Sequence, residues 1–102
     1  MTPNGGGAAI VTVRRSGDGD PLEFEVTVRD GDGAKRHQVT VSRKICERLG
    51  GGHEPEQLLK AAFGFLLDRE PKDSILTRFD VSVISRYFPE FERELPRYLA
   101  QG

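Results

Sequence analysis

The stretch LEFEVTVRDGDGAKRHQVTVS, residues 22–42, decides the fold of this chain. Apolar and polar residues alternate on both sides of its Asp-Gly-Asp-Gly sequence, and this period of two is typical of half-buried antiparallel strands. Asp-Gly is a strong signal for a hairpin turn. A turn centred on residues 31–32 pairs Phe24 with Val39, so that the apolar residues of both strands share one face. The sequence therefore predicts a β-hairpin here.

Residues 10–14, which precede this hairpin, predict a further strand because Val11 and Val13 alternate there with polar residues. Ser16-Gly17-Asp18-Gly19 supplies a second turn signal. A turn at that sequence places Val13 opposite Leu22 and Val11 opposite Phe24. The apolar residues of three strands then lie on one face, and we predict a three-stranded antiparallel β-meander.

The apolar period changes to that of helices after Ser42. Ser42 can cap a helix over residues 43–49, a glycine triplet ends that helix, and Pro55 suits the first turn of a second helix that runs to residue 69. The apolar stripe of the second helix is wide, which predicts that it covers the sheet. The residues predicted to face the core are Val11, Val13, Leu22, Phe24, Val26, Val39, Val41, Leu58, Leu59, Ala62, Phe63 and Leu66.

The last third of the chain predicts shorter segments. Residues 74–79 are typical of a turn or short helix, and residues 80–88 fit either a helix or a strand. A final helix begins after Pro89, and we expect Pro96 to kink or split it, because proline lacks an amide hydrogen and clashes with the preceding turn. The predicted fold class is α+β: a three-stranded antiparallel β-meander followed by, and packed against, three to four helices.

Length and composition predict one folded domain. The chain has 102 residues, of which 36% are hydrophobic and 30% are charged, a balance typical of a compact domain. Three adjacent glycines predict that residues 1–8 form a flexible tail and residues 9–102 a single α+β domain. One cysteine cannot form an internal disulfide, and the sequence contains neither a signal peptide nor a long apolar run. We therefore expect a cytoplasmic location and no membrane partner.

No catalytic, metal or cofactor motif rises above background. Cys46, His37 and His53 lack the paired spacing of a zinc site. The glycine triplet follows a helix and is not followed by the Lys-Ser/Thr ending of a phosphate-binding loop. Glu23 and Glu25 project from the polar face of a strand, where carboxylates are usually solvated. The sequence therefore predicts a protein that is not an enzyme and that uses no metal or cofactor.

The formal net charge of −1, with mixed charges along the chain, disfavours a nucleic-acid partner. One alternative stays open, because alternating polar side chains of the third strand are followed by basic residues and two helices. This order resembles the ribbon-helix-helix repressors over residues 36–69, in which paired strands of a dimer enter the major groove. The resemblance departs in the short first helix and in the strand's own hairpin partner. The nucleic-acid contacts that it implies are Arg36, Gln38, Thr40, Arg43 and Lys44.

The C-terminal segment RFDVSVISRYFPEF, residues 78–91, is dense in aromatic side chains. Such density usually builds a core or an interface, and the pattern leaves both open. The segment resembles a family of small uncharacterised bacterial proteins that have a β-rich start and an RFD-SVI-RYFPE-type segment near their end. The resemblance covers residues 22–95 and carries over no catalytic residue, because the family implies no activity.

These observations favour a small bacterial protein that acts as a non-catalytic protein-interaction or regulatory module. Its partner is expected to be another protein or a second copy of the chain. More large apolar residues occur in the C-terminal half than one helix face can bury, so an interaction surface is expected there. The residues predicted to form that surface are Tyr87, Phe88, Phe91 and Tyr98.

Overall fold

A computed structural model describes residues 9–101, so the predicted tail over residues 1–8 lies outside the described residues. Within this part of the chain no helix is long and apolar enough to cross a membrane. The elements in chain order are β1 (Ile10–Gly17), β2 (Leu22–Asp30), β3 (Gly33–Val41), α1 (Arg43–Gly50), α2 (Pro55–Leu67), a single 3₁₀ turn (Lys72–Ser74), β4 (Arg78–Asp80), α3 (Ser82–Tyr87) and α4 (Phe91–Gln101).

The four strands form one mixed sheet in the order β1-β2-β3-β4. The first three strands are antiparallel to one another, which confirms the predicted meander. The fourth strand corrects the prediction of a three-stranded sheet and of a turn or helix over residues 74–79, because β4 pairs in parallel with β3 through Val39 and Phe79. A strand of three residues is too short to show a period of two, so the pattern could not reveal it.

The predicted register is found in the second hairpin but not in the first. In the second hairpin Phe24 lies opposite Val39, as expected. In the first hairpin Val13 lies opposite Val26, not opposite Leu22, because β1 continues to Gly17 and the turn moves to residues 18–21. The shift is an even number of residues, so the apolar side chains of β1 keep the predicted face.

The first two helices begin where the sequence predicts, but α1 ends one residue later than expected, at Gly50, and α2 ends two residues earlier, at Leu67. The Ser42 hydroxyl accepts a hydrogen bond from the Ile45 amide at 3.1 Å, and Gly51 closes α1 in the left-handed conformation with φ 55°. Helix α2 begins with Pro55 and crosses the sheet. Its buried residues, which confirm that it is the central helix, are Leu58, Leu59, Ala61, Ala62, Phe63, Phe65 and Leu66.

The C-terminal helices are short. Residues 82–87 are helical, and the Asp80 carboxylate accepts a hydrogen bond from the Ser82 amide at 3.0 Å before the first turn of α3. Helix α4 continues through Pro96 as one element, so the expected split does not occur. The proline is exposed, whereas Leu95 and Leu99 are buried, and packing of that apolar face against α2 holds the helix together.

The helices cover one face of the sheet and leave the other face open. Every predicted core residue is buried except Val11 and Val13, which are half-buried on the outer strand β1. The open face carries the alternate, polar residues of the strands. The molecule is therefore an α+β sandwich of two layers, with its core between the sheet and α2.

Gly51 is expected to be needed for its backbone conformation alone. A side chain at this position would meet no atom within 4 Å, yet φ of 55° is unfavourable for residues with a Cβ atom. Gly51→Ala should therefore lower the free energy of unfolding by about 1 kcal/mol, measured by urea denaturation. Gly31→Ala is the control, because its φ is not positive and its surroundings are equally open. An equal decrease in the free energy of unfolding for both variants would contradict this explanation.

Candidate functional site

An apolar groove opens where the end of α2, the connection 71–77 and α3 meet. Its volume is about 440 Å³, which falls within the range of about 300–1,000 Å³ typical of ligand sites. Within residues 9–101, only Glu70 and Ser74 contribute polar side chains to it apart from the hydroxyl of Tyr87. The apolar side chains that line it are Leu66, Ile75, Leu76, Phe79, Val83, Ile84 and Phe88, together with the ring of Tyr87.

Two large apolar side chains at this groove face solvent. Leu76 is 49% exposed and Tyr87 is 68% exposed. In the described part of the chain the only other large apolar side chain with comparable exposure is Ile10, at 62%, which lies on the polar face of the sheet. Exposed apolar residues are unremarkable when scattered, but next to an apolar groove they enlarge one continuous patch.

The connection 71–77, which forms one wall of the groove, is fixed to the β2–β3 hairpin. The Lys72 ammonium lies 2.9 Å from the Asp30 carboxylate, and its side chain is only 6% exposed. This ion pair raises the pKa of Lys72 and lowers that of Asp30. The Lys35 ammonium also donates to the Ile75 carbonyl at 2.9 Å. The wall is therefore held in place before any ligand binds.

The side chain of His37 also contacts the connection 71–77, through the Leu76 carbonyl. Its ring is fully buried, as its place on the apolar face of β3 predicts, and lies 5.2 Å from the ring of Phe63. Burial lowers the pKa of His37 from 6.5, and Lys35 adds to this, although the bond to the Leu76 carbonyl acts in the opposite direction. The neutral ring donates from Nδ1 to that carbonyl at 2.8 Å, while Nε2 is buried without a partner among the described residues.

In the part of the chain that the structure describes, Glu70 is the one charged side chain that lines the groove. It lies just beyond α2, where its amide donates to the Leu66 carbonyl at 2.9 Å. The residue is half-buried, and its carboxylate makes no hydrogen bond or ion pair within residues 9–101. Burial raises the pKa of Glu70. The groove therefore combines a large apolar lining with one unpaired carboxylate.

The structure brings together two of the four residues that the sequence singled out as an interaction surface. Tyr87 and Phe88 line the groove. Phe91 is fully buried and packs against Phe65 at a centroid distance of 5.1 Å, so it has no accessible surface. Tyr98 packs on the same ring outside the groove. The four side chains do not form one surface, because α3 ends at Tyr87 and a new helix begins four residues later.

The side chains suggested as nucleic-acid contacts are spread over two parts of the molecule. Arg36, Gln38 and Thr40 lie on the open sheet face, where Arg36 is 3.9 Å from Glu25. The Thr40 hydroxyl donates to Asp80 at 2.5 Å.

The two basic residues of α1 make no shared surface with that strand. The Arg43 guanidinium donates to the carbonyls of Asp18 and Gly19 in the first hairpin turn, at 3.3 Å for the bond from Nε to Gly19. Lys44 is exposed. The cations of this region are thus partly engaged with carboxylates and carbonyl groups of the protein itself.

The residues weighed for metal or nucleophilic chemistry lie apart. Cys46 is buried on α1, and burial raises the pKa of its thiol. His53 is held 2.8 Å from the Gly50 carbonyl at the end of that helix. In the region from residue 9 to residue 101, no group of three or more His, Cys, Asp or Glu side chains is placed to hold a metal ion.

Sequence reasoning missed Leu76 and Glu70 as site residues. Leu76 lies in the segment 74–79, which the sequence predicts to be a turn or short helix. The adjacent Ile75 and Leu76 form an apolar pair inside a connection, and that pair was the available signal.

The assignment of a function depends on the chemistry of this groove. In comparisons with protein-family models, curated proteins and solved structures, the chain matches none.

Proposed function

We propose that this domain is a non-catalytic protein-interaction module whose groove accepts a large apolar side chain of a partner protein. The observation that carries the proposal is an open apolar groove of about 440 Å³ with Leu76 and Tyr87 exposed at its rim. Burial of such surface by a partner removes apolar area from water, which is the main driving force of association. Aromatic side chains are also enriched at the centres of protein interfaces.

The polar groups of the groove support binding more than catalysis. Among the described residues, its only polar side chains are those of Glu70, Ser74 and Tyr87. A catalytic site needs a nucleophile or base, a group that orients it and a group that stabilises developing charge, all converging on one point. One carboxylate and two hydroxyls do not supply that set.

The fixed wall also favours a binding role. The ion pair of Lys72 with Asp30 and the bond from His37 to the Leu76 carbonyl hold the connection 71–77 on the sheet. A site that is ordered before the ligand arrives loses less conformational entropy on binding. The groove is therefore suited to receive a flexible partner segment.

The proposal can be tested with a random peptide library displayed on phage. We expect enrichment of peptides that contain a large aliphatic or aromatic residue. For a selected peptide, Leu76→Ser and Tyr87→Ser should each weaken binding by about tenfold in fluorescence anisotropy, the loss typical of a hot-spot residue. Both side chains are exposed, so the variants should fold, which circular dichroism can check.

Ile10→Ser is the matched control, since it removes an equally exposed apolar side chain from the polar sheet face. It should leave peptide binding unchanged. Failure to enrich any peptide, or binding that is insensitive to Leu76→Ser and Tyr87→Ser, would contradict the proposed function.

A further inference from the structure

We propose that the groove selects a partner segment in which a lysine or arginine lies next to the large apolar residue, and that Glu70 binds this cationic group. The inference rests on the proposed function and adds the chemical class of the partner. It starts from the unpaired carboxylate of Glu70, a half-buried residue in a lining that is mostly apolar.

The cations nearest to Glu70 in the chain are bound elsewhere. The Arg69 guanidinium lies 3.2 Å from the Glu90 carboxylate and 3.6 Å above the ring of Phe65. The Lys72 ammonium lies 2.9 Å from Asp30. The two basic side chains that flank Glu70 along the chain are therefore committed to other partners, and the carboxylate remains free to bind an external cation.

The surroundings of Glu70 favour a cation for two physical reasons. Burial removes part of the water that would solvate the carboxylate, and an isolated buried charge is costly unless it is paired. The residue also lies at the C-terminal end of α2, where the backbone dipoles produce partial negative charge. Both effects are relieved when a positive group enters the groove.

A protein side chain fits this arrangement better than a metal ion does. Metal sites of proteins use several ligating groups, whereas among the residues that the structure describes Glu70 is the only carboxylate that lines the groove. A lysine or arginine brings its own apolar stem, which can lie along Leu66 or Leu76, and an arginine can also stack on the exposed ring of Tyr87. The large apolar residue of the partner, next to that lysine or arginine, then occupies the groove.

The test compares an arginine-containing peptide selected from the displayed library with its analogue in which citrulline replaces arginine. Citrulline has nearly the same shape but no charge. Wild-type protein should bind the arginine peptide about threefold to tenfold more tightly than the citrulline peptide. Glu70→Gln should bind both peptides equally, and its affinity for the citrulline peptide should match that of the wild type.

Glu23→Gln is the control, because it removes the same charge from an exposed position on the open sheet face. It should keep the preference for arginine. Selected peptides without basic residues, or a preference that survives Glu70→Gln, would overturn the inference about Glu70. If Leu76→Ser weakens the binding of both peptides in that case, the proposed function still stands. If Leu76→Ser has no effect, both proposals fail.

Discussion

Replacing Phe65 with alanine is expected to lower the free energy of unfolding by about 3–5 kcal/mol. Phe65 is fully buried on α2, and its ring meets those of Phe88, Phe91 and Tyr98 at centroid distances of 5.8, 5.1 and 5.8 Å. The substitution removes the shared contact of α2, α4 and the end of α3, and it leaves a cavity. Urea denaturation followed by circular dichroism measures the loss.

Tyr87→Ala is the control for this prediction. Tyr87 is an aromatic residue of the same C-terminal region, but 68% of it is exposed. Its removal should change the free energy of unfolding by no more than about 0.5 kcal/mol. A loss below 1 kcal/mol for Phe65→Ala, or a similar loss for both variants, would show that the aromatic cluster does not hold the helices together.

The stability of the protein is expected to fall as the pH is lowered from 7 towards 5. Burial lowers the pKa of His37 from 6.5, so the unfolded chain takes up a proton at a pH where the folded protein does not. His37 therefore contributes stability that is fully present above its unfolded pKa and is lost as pH falls through its folded pKa. The slope from one proton cannot exceed about 1.4 kcal/mol per pH unit.

Variants of the two histidines identify the source of this pH dependence. His37→Phe removes the titrating group and the bond to the Leu76 carbonyl, so the protein should be less stable at pH 7 but should lose the slope between pH 7 and 5. His53→Gln should keep the slope.

The carboxylates of Asp30 and Glu92 also have lowered pKa values, but they release their stabilisation at more acidic pH. The raised pKa of Glu70 makes a contribution of opposite sign, because the folded protein then takes up that proton more readily than the unfolded chain, and both histidine variants keep this contribution. A slope that survives His37→Phe would contradict the assignment.

The β2–β3 hairpin could be predicted with its register because two local signals agree there. The Asp-Gly turn and the alternation of Phe24 and Val39 specify the same pairing. For β1 the sequence from Ser16 to Pro21 offers more than one turn position, and pairings that differ by an even number of residues place Val13 on the same face. The apolar pattern alone therefore predicted the face of β1 but not its register.

The fourth strand and the groove could not be predicted in the same way, because they depend on contacts between distant parts of the chain. The Thr40 hydroxyl meets Asp80 forty residues later, and no local pattern encodes that pairing. Aromatic density singled out Tyr87 and Phe88, which line the groove, and also Phe91, which belongs to the core because the chain breaks its helix after Tyr87. Glu70 lines the groove only because side chains from other segments fold around it.

The parallel pairing of β4 with β3 has a consequence for how the chain folds. The hairpins of β1–β3 join neighbouring segments, whereas β4 pairs with β3 across the long connection that contains α1 and α2. Closing so long a connection costs chain entropy before any contact compensates for it. We therefore expect the groove, which needs Phe79 and the segments on either side of it, to be completed late in folding. A partner that binds the groove would therefore bind the folded protein and not chains that are still folding.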